Sequence, residues 1–199
     1  MKDCILYIHG FNSSPLSTKA LQTKRYVKNN FPSVEFICPQ LASSPMAAIN
    51  QLITIIEETT IPEKKRILLV GSSLGGYFAS YLAAKYRCLM VLINPAIKPY
   101  ELLVDYVGEQ VNPFTKEVYQ VSLEHIDELK CIEASAPSPN NPQKNNYLIM
   151  VQTGDEVLNY QQAVEKYRYC QLLVQEGGDH SFKNFAQVLP TISDFFQLT

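Results

Sequence analysis

Ile67-Leu68-Leu69-Val70-Gly71-Ser72-Ser73-Leu74-Gly75 decides how the rest of this 199-residue chain is read. Four consecutive apolar residues run into Gly71, and the residues from Leu74 to Tyr86 follow with helical period: Phe78, Tyr81, Leu82 and Lys85 share one face. A fully apolar strand turning at once into a helix is the unit of a parallel sheet covered on both sides. Gly71 to Gly75 has the pattern G-x-S-x-G, which on its own is also a plain tight turn with Ser72 or Ser73 as helix cap. Its placement favours a second reading. A strand-to-helix turn this sharp strains the central residue and pushes its side chain into the open, with small neighbours two positions away on each side. Ser73 is that central residue, and its hydroxyl stands at a helix N-terminus, where developing negative charge is favoured.

Outward from this turn, the same alternation recurs. Strands are expected at Ile5–Ile8, Val34–Cys38, Ile67–Val70, Leu89–Ile93, Tyr147–Gln152 and Gln171–Gln175, each closed by Gly, Pro or Asn-Pro. Between them, helices are expected over Pro15–Asn30 with Ser14 as N-cap, along the Ile49, Leu52, Ile53, Ile56 face, over Leu74–Tyr86, over Tyr160–Tyr169, and from Pro190 onward. The expectation is one domain spanning 1–199, a doubly wound α/β fold with a mainly parallel sheet of five to six strands and helices on both faces. Residues 96–146 break the rhythm. Tyr100, Leu103, Val104 and Val107 suggest one helical turn, Leu123, Ile126 and Leu129 another, and Glu133–Asn146 a Pro/Asn/Ser-rich loop, so a small helical cap-like insertion is expected there.

Composition narrows the function. The net charge is −2 and the longest basic run is Lys64-Lys65-Arg66, which offers nothing to nucleic acid or an anionic membrane. Met1-Lys2-Asp3 leads directly into a run too short for a secretory signal or a membrane span, so a cytoplasmic protein is expected. Five widely spaced cysteines without a CxxC pair support neither a disulfide framework nor a zinc site, and Cys4, Cys38, Cys88 and Cys170, at or beside apolar runs, are expected to be small buried hydrophobes.

Two further positions agree with Ser73. A serine hydroxyl needs a base at neutral pH, and His180 follows the sixth strand after Gly177-Gly178-Asp179. Asp155 follows the fifth strand in Thr153-Gly154-Asp155-Glu156 and is placed to hold an imidazole tautomer. Glu156 is the competing acid, and Asp179 adjoins His180 too closely to reach its ring edge. All three lie at C-terminal strand ends, where open α/β sheets place their sites, in the order Ser, Asp, His. After the first strand, His9-Gly10-Phe11 supplies a further element. The backbone N–H groups of Phe11 and Leu74 are candidate oxyanion donors, while His9 is expected to bond backbone. His125 is expected to be a surface or cap-packing residue. Tyr100, Leu103 and Phe114 are candidate pocket walls.

These blocks resemble the YqiA-like bacterial esterases of the α/β-hydrolase superfamily. The resemblance runs through Tyr7–Pro15, Val70–Tyr77, Asn94-Pro95-Ala96, Glu101-Leu102-Leu103, Asn112-Pro113, Thr153–Leu158, Glu176-Gly177-Gly178, His180 and Phe182. It implies cofactor-free hydrolysis of short acyl esters and of acyl-CoA thioesters, with Ser73 as nucleophile, Asp155 as acid and His180 as base. Acyl transfer or peptide cleavage on the same residues, and a non-enzymatic partner-binding protein that keeps the fold, are the rival readings. The sequence carries no signal for oligomeric state.

Overall fold

The computed structural model describes residues 2–60, 62–136 and 145–199. Its centre is a six-stranded sheet in which every neighbouring pair is parallel. The strands are β1 (Asp3–Ile8), β2 (Glu35–Ile37), β3 (Arg66–Ser72), β4 (Leu89–Ile93), β7 (Tyr147–Gln152) and β8 (Gln171–Gln175), in the order β2-β1-β3-β4-β7-β8. All six expected strands are present. The doubly wound arrangement follows from where each strand puts its side chains. Leu6, Ile8, Leu69, Met90, Leu92, Ile149 and Val151 enter one core. Ile5, Tyr7, Leu68, Val70, Val91, Ile93, Leu148 and Met150 enter the other. Alternate residues thus point to opposite faces, and both faces are dry along the central strands β1, β3, β4 and β7, which is why these carry continuous apolar runs.

Helices α1 (Thr18–Asn30) and α7 (Leu189–Phe196) cover the second core through Ala20, Val27, Leu189, Ile192 and Phe196. The first core is covered by α2 (Pro45–Thr54), α3 (Leu74–Tyr86), α5 (Leu123–Ser135) and α6 (Tyr160–Lys166). Helix α2 continues as a π-helical turn over Ile55–Thr60, which keeps Ile56 buried on the same side as Ile49 and Leu52. Helix α1 starts later than expected. Ser14 Oγ accepts from the Leu16 amide and the Ser14 carbonyl from the Ser17 amide, so residues 14–17 make a turn, and Ser17 takes the N-cap position.

The insertion departs from expectation. It is not all helical. A short helix α4 (Pro99–Leu102) passes into a 3-10 turn (Leu103–Tyr106), followed by an antiparallel hairpin of β5 (Gly108–Val111) and β6 (Val118–Val121), then α5. The expected loop over Glu133–Asn146 begins only after α5 ends at Ser135, and residues 137–144 lie outside the described residues. Among the described residues, no helix is long and apolar enough to cross a membrane.

The strand order reverses direction between β1 and β3, because the chain moves outward to β2 and then returns to the other side of β1. A crevice opens at such a reversal, at the C-terminal strand ends. Here the two chain segments come unusually close. A Cβ on Gly75 would collide with the Ile8 carbonyl and lie 2.6 Å from the His9 carbonyl oxygen. Gly75→Ala is therefore expected to destabilise the fold by roughly 3 kcal/mol or more, read as a lowered urea midpoint at unchanged slope. A wild-type midpoint contradicts this close approach.

Candidate active site

Ser73 sits between β3 and α3 with φ 54° and ψ −122°, a region that L residues rarely occupy. Backbone bonds hold it there. Its amide donates to the Ile93 carbonyl (3.1 Å), and its carbonyl accepts from Gly76 (2.9 Å) and Ala96 (3.1 Å). The strain has a geometric result: the side chain projects from the turn towards the loops beyond β7 and β8. Gly10, at the end of β1, lies against it so closely that a Cβ there would come 3.0 Å from Ser73 Cβ.

His180 Nε2 is 3.1 Å from Ser73 Oγ, and Nδ1 is 2.8 Å from Asp155 Oδ2. A carboxylate only accepts, so Nδ1 carries the proton and Nε2 is free to accept from the serine hydroxyl. The three residues therefore form one hydrogen-bonded chain, Ser73–His180–Asp155, although 107 positions separate Ser73 from His180. Asp155 is deeply placed, its side chain 2% exposed. Burial alone pushes its pKa up. The His180 hydrogen bond and the Leu158 and Val157 amides (2.8 and 2.9 Å) outweigh that effect and hold the carboxyl below its ordinary range. Glu156, the competing acid, is used differently: its carboxylate accepts from the His180 backbone amide at 3.0 Å.

Two buried amides that the sequence reading passed over hold the His180 loop. Gln152, at the end of β7, has all its capacity filled. Its Oε1 accepts from the Asp179 and Lys183 amides (3.1 and 2.8 Å), and its Nε2 donates to the Lys183 carbonyl and Gln175 Oε1 (both 2.9 Å). Asn94, at the end of β4, donates to the Asp179 and His180 carbonyls (3.0 and 3.2 Å) and accepts from the Gln152 amide (3.0 Å). From sequence, both are merely polar residues closing an apolar strand. A side-chain amide that is 3% exposed is the signal, and it exists only once burial is known.

On the β1 side, Leu74 opens α3, so its N–H is a first-turn donor without an intrahelical acceptor. Among the described residues, the Phe11 amide has no acceptor either. A cavity of about 420 Å³ contains Gly10, Phe11, Ser73, Glu156 and His180, with Phe114 from the hairpin turn on its wall. A second space of about 40 Å³ lies behind the Phe11 loop, against Leu74, Ala48 and Phe78. Phe114 is thus brought to the site. Tyr100 and Leu103 are not: Tyr100 is half-buried against the first core, and Leu103 is buried in it, so both pack the insertion onto that core. His125 Nδ1 accepts from the Ser122 amide at the start of α5 (3.3 Å), far from this chemistry in role.

A sequence model of the family described as "Uncharacterised protein family (UPF0227)" matches residues 4–197. The chain belongs to this family. Among curated relatives, the UPF0227 protein YcfP of Escherichia coli O9:H4 (strain HS) is 25% identical over 197 residues, covering 96% of this chain and 97% of its own. YcfP of Shigella boydii serotype 18 matches to the same extent. Among solved structures, mouse alpha/beta hydrolase domain-containing protein 10 superposes with a TM-score of 0.75 at 18% identity, covering 99% of this chain and 90% of that one. Est1E from Butyrivibrio proteoclasticus bound to ferulic acid gives 0.74 at 15% identity, with 98% and 88% covered. At these identities the likeness is one of fold. It bears out the α/β-hydrolase architecture, and the UPF0227 match bears out the family resemblance.

His9 lies beneath the site as a structural residue. Its Nδ1 donates to the Gly10 carbonyl (3.0 Å) and its Nε2 accepts from the Leu41 amide (3.2 Å), so the ring is neutral. Burial lowers its pKa, against a smaller opposing effect of the Gly10 carbonyl. A base whose folded pKa is depressed contributes stability above its unfolded value, near 6.5, which is lost as pH falls through the folded one. Between pH 7.5 and 5.5, wild type should lose up to about 1.4 kcal/mol more stability than His9→Gln, measured by urea unfolding at both pH values. Equal losses contradict a buried neutral His9.

Proposed function

We propose that this protein is a serine hydrolase that cleaves small acyl esters, and acyl thioesters such as acyl-CoA, through an acyl-enzyme. One observation carries the reading: the 3.1 Å and 2.8 Å contacts that link Ser73 Oγ, His180 and Asp155 in a single chain. Ser73 Oγ attacks the acyl carbonyl carbon while His180 Nε2 takes its proton. The carbonyl π bond becomes a C–O⁻ single bond, and this oxyanion meets the Phe11 and Leu74 N–H groups. Such a donor is typically worth about 3 kcal/mol in the transition state. Asp155 keeps Nδ1–H in place and stabilises the imidazolium. The tetrahedral species collapses, the carbon–oxygen or carbon–sulfur bond to the leaving group breaks, and His180 returns its proton to that atom. Water, activated by the same nitrogen, then releases the acid and regenerates Ser73.

The fold shared with solved esterases and lipases supports this reading, among them an esterase domain from a Rhodothermus marinus protein and a monoglyceride lipase from Saccharomyces cerevisiae. Hydrolysis of p-nitrophenyl butyrate tests it. Wild type is expected to turn over, and Ser73→Ala to fall by about a thousandfold or more. Comparable rates from the two proteins overturn the role of Ser73.

A further inference from the structure

The hairpin β5–β6 touches the body at one place that the proposed reaction depends on. Tyr119 Oη donates to Asn12 Oδ1 at 2.6 Å, and Asn12 Nδ2 donates in turn to Gln110 Oε1 at 3.4 Å. One residue further on, Asn112 Nδ2 donates to the Ser13 carbonyl at 3.0 Å. Asn112 is itself fixed, because its Oδ1 accepts from the Phe114 and Thr115 amides (2.9 and 3.1 Å), and its side chain is buried. The Phe11 ring is held edge-on by Tyr106 and Tyr119, with centroids 5.2 and 6.4 Å away. All these contacts fall on residues 11–13, the segment that follows β1.

That segment needs an external hold. Asn12 has φ 49°, a left-handed conformation that costs a non-glycine residue free energy, and no strand or helix hydrogen bond secures residues 11–13. The Phe11 amide lies beside this unfavourable residue. An oxyanion donor is effective only when it is aimed before the charge develops. Burial, with the nearby Glu117 carboxylate, pushes the Tyr119 hydroxyl up to about 12, so it remains a donor throughout the neutral range.

We propose that Tyr119 is a positioning residue: with Asn112, it locks Asn12 and Ser13 so that the Phe11 N–H is aimed at the oxyanion formed on Ser73. The inference rests on the hydrolase reading. It gives the insertion a part in transition-state stabilisation as well as in lining the cavity.

Tyr119→Phe removes the hydroxyl and keeps the ring against Phe11. With p-nitrophenyl butyrate, kcat is expected to fall about three- to tenfold, the range of one hydrogen bond, with KM within twofold. Affinity for an alkyl trifluoromethyl ketone, whose serine adduct carries an oxyanion, should weaken by the same factor. Hydrogen exchange over residues 9–13 in the free protein should quicken, whether or not the protein turns over substrate. Val118→Ala, on the exposed face of the same hairpin, should match wild type in all three measurements. Unchanged exchange over 9–13 in Tyr119→Phe overturns the clamp, as does a loss carried by KM alone or an equal loss in Val118→Ala. The hydrolase reading fails separately, when wild type neither hydrolyses the ester nor binds the ketone.

Discussion

The near-contact between Gly75 and the Ile8 carbonyl is the constraint on which the site depends. It brings the first turn of α3 against the end of β1, and leaves the chain no room for a gradual passage from β3 into the helix. The cost is concentrated in one residue, Ser73, whose φ of 54° is held by backbone bonds to Ile93, Gly76 and Ala96. Strain of this kind persists only where the surroundings over-determine it. Its product is a hydroxyl standing clear of the sheet, beside the segment after β1 and facing the loops after β7 and β8.

The remaining parts are held by different means. His180 is on a loop, and loops lack a ladder to fix them. Gln152 and Asn94 substitute for one, bonding backbone groups from Asp179 to Lys183. Asp155 is anchored at its own carboxylate by the two amides that follow it. Around Phe11 the hold comes from outside the sheet, through the hairpin. Three elements remote in sequence are thus pinned by buried polar groups whose hydrogen bonds are satisfied, which is the condition under which buried polar networks rigidify rather than destabilise.

Much of this was legible in the residues. The central strands of the sheet carry continuous apolar runs ended by Gly or Asn, and burial on both faces favours that composition. The Gly71–Gly75 pattern was informative because of its neighbours, not its letters. The hairpin was hidden for the opposite reason. Gly108–Val111 and Val118–Val121 are four residues each, half polar and largely exposed, and the six-residue connection between them contains no two-residue turn signal. Tyr100 and Leu103 show a related gap: periodicity says that a side chain will be buried but not against what, and here the partner is the first core rather than the site. Gln152 and Asn94 carry no local signal at all, since their role is defined by a loop some thirty to eighty residues away.

The central claim is that His180 makes the Ser73 hydroxyl nucleophilic. Labelling with a fluorophosphonate, followed by intact mass and peptide mapping, measures this without a chosen substrate. Wild type is predicted to gain a single adduct on Ser73, and His180→Ala to label at least about a hundredfold more slowly. Absence of an adduct in folded wild type, or equal labelling of Ser73 without His180, would contradict the account.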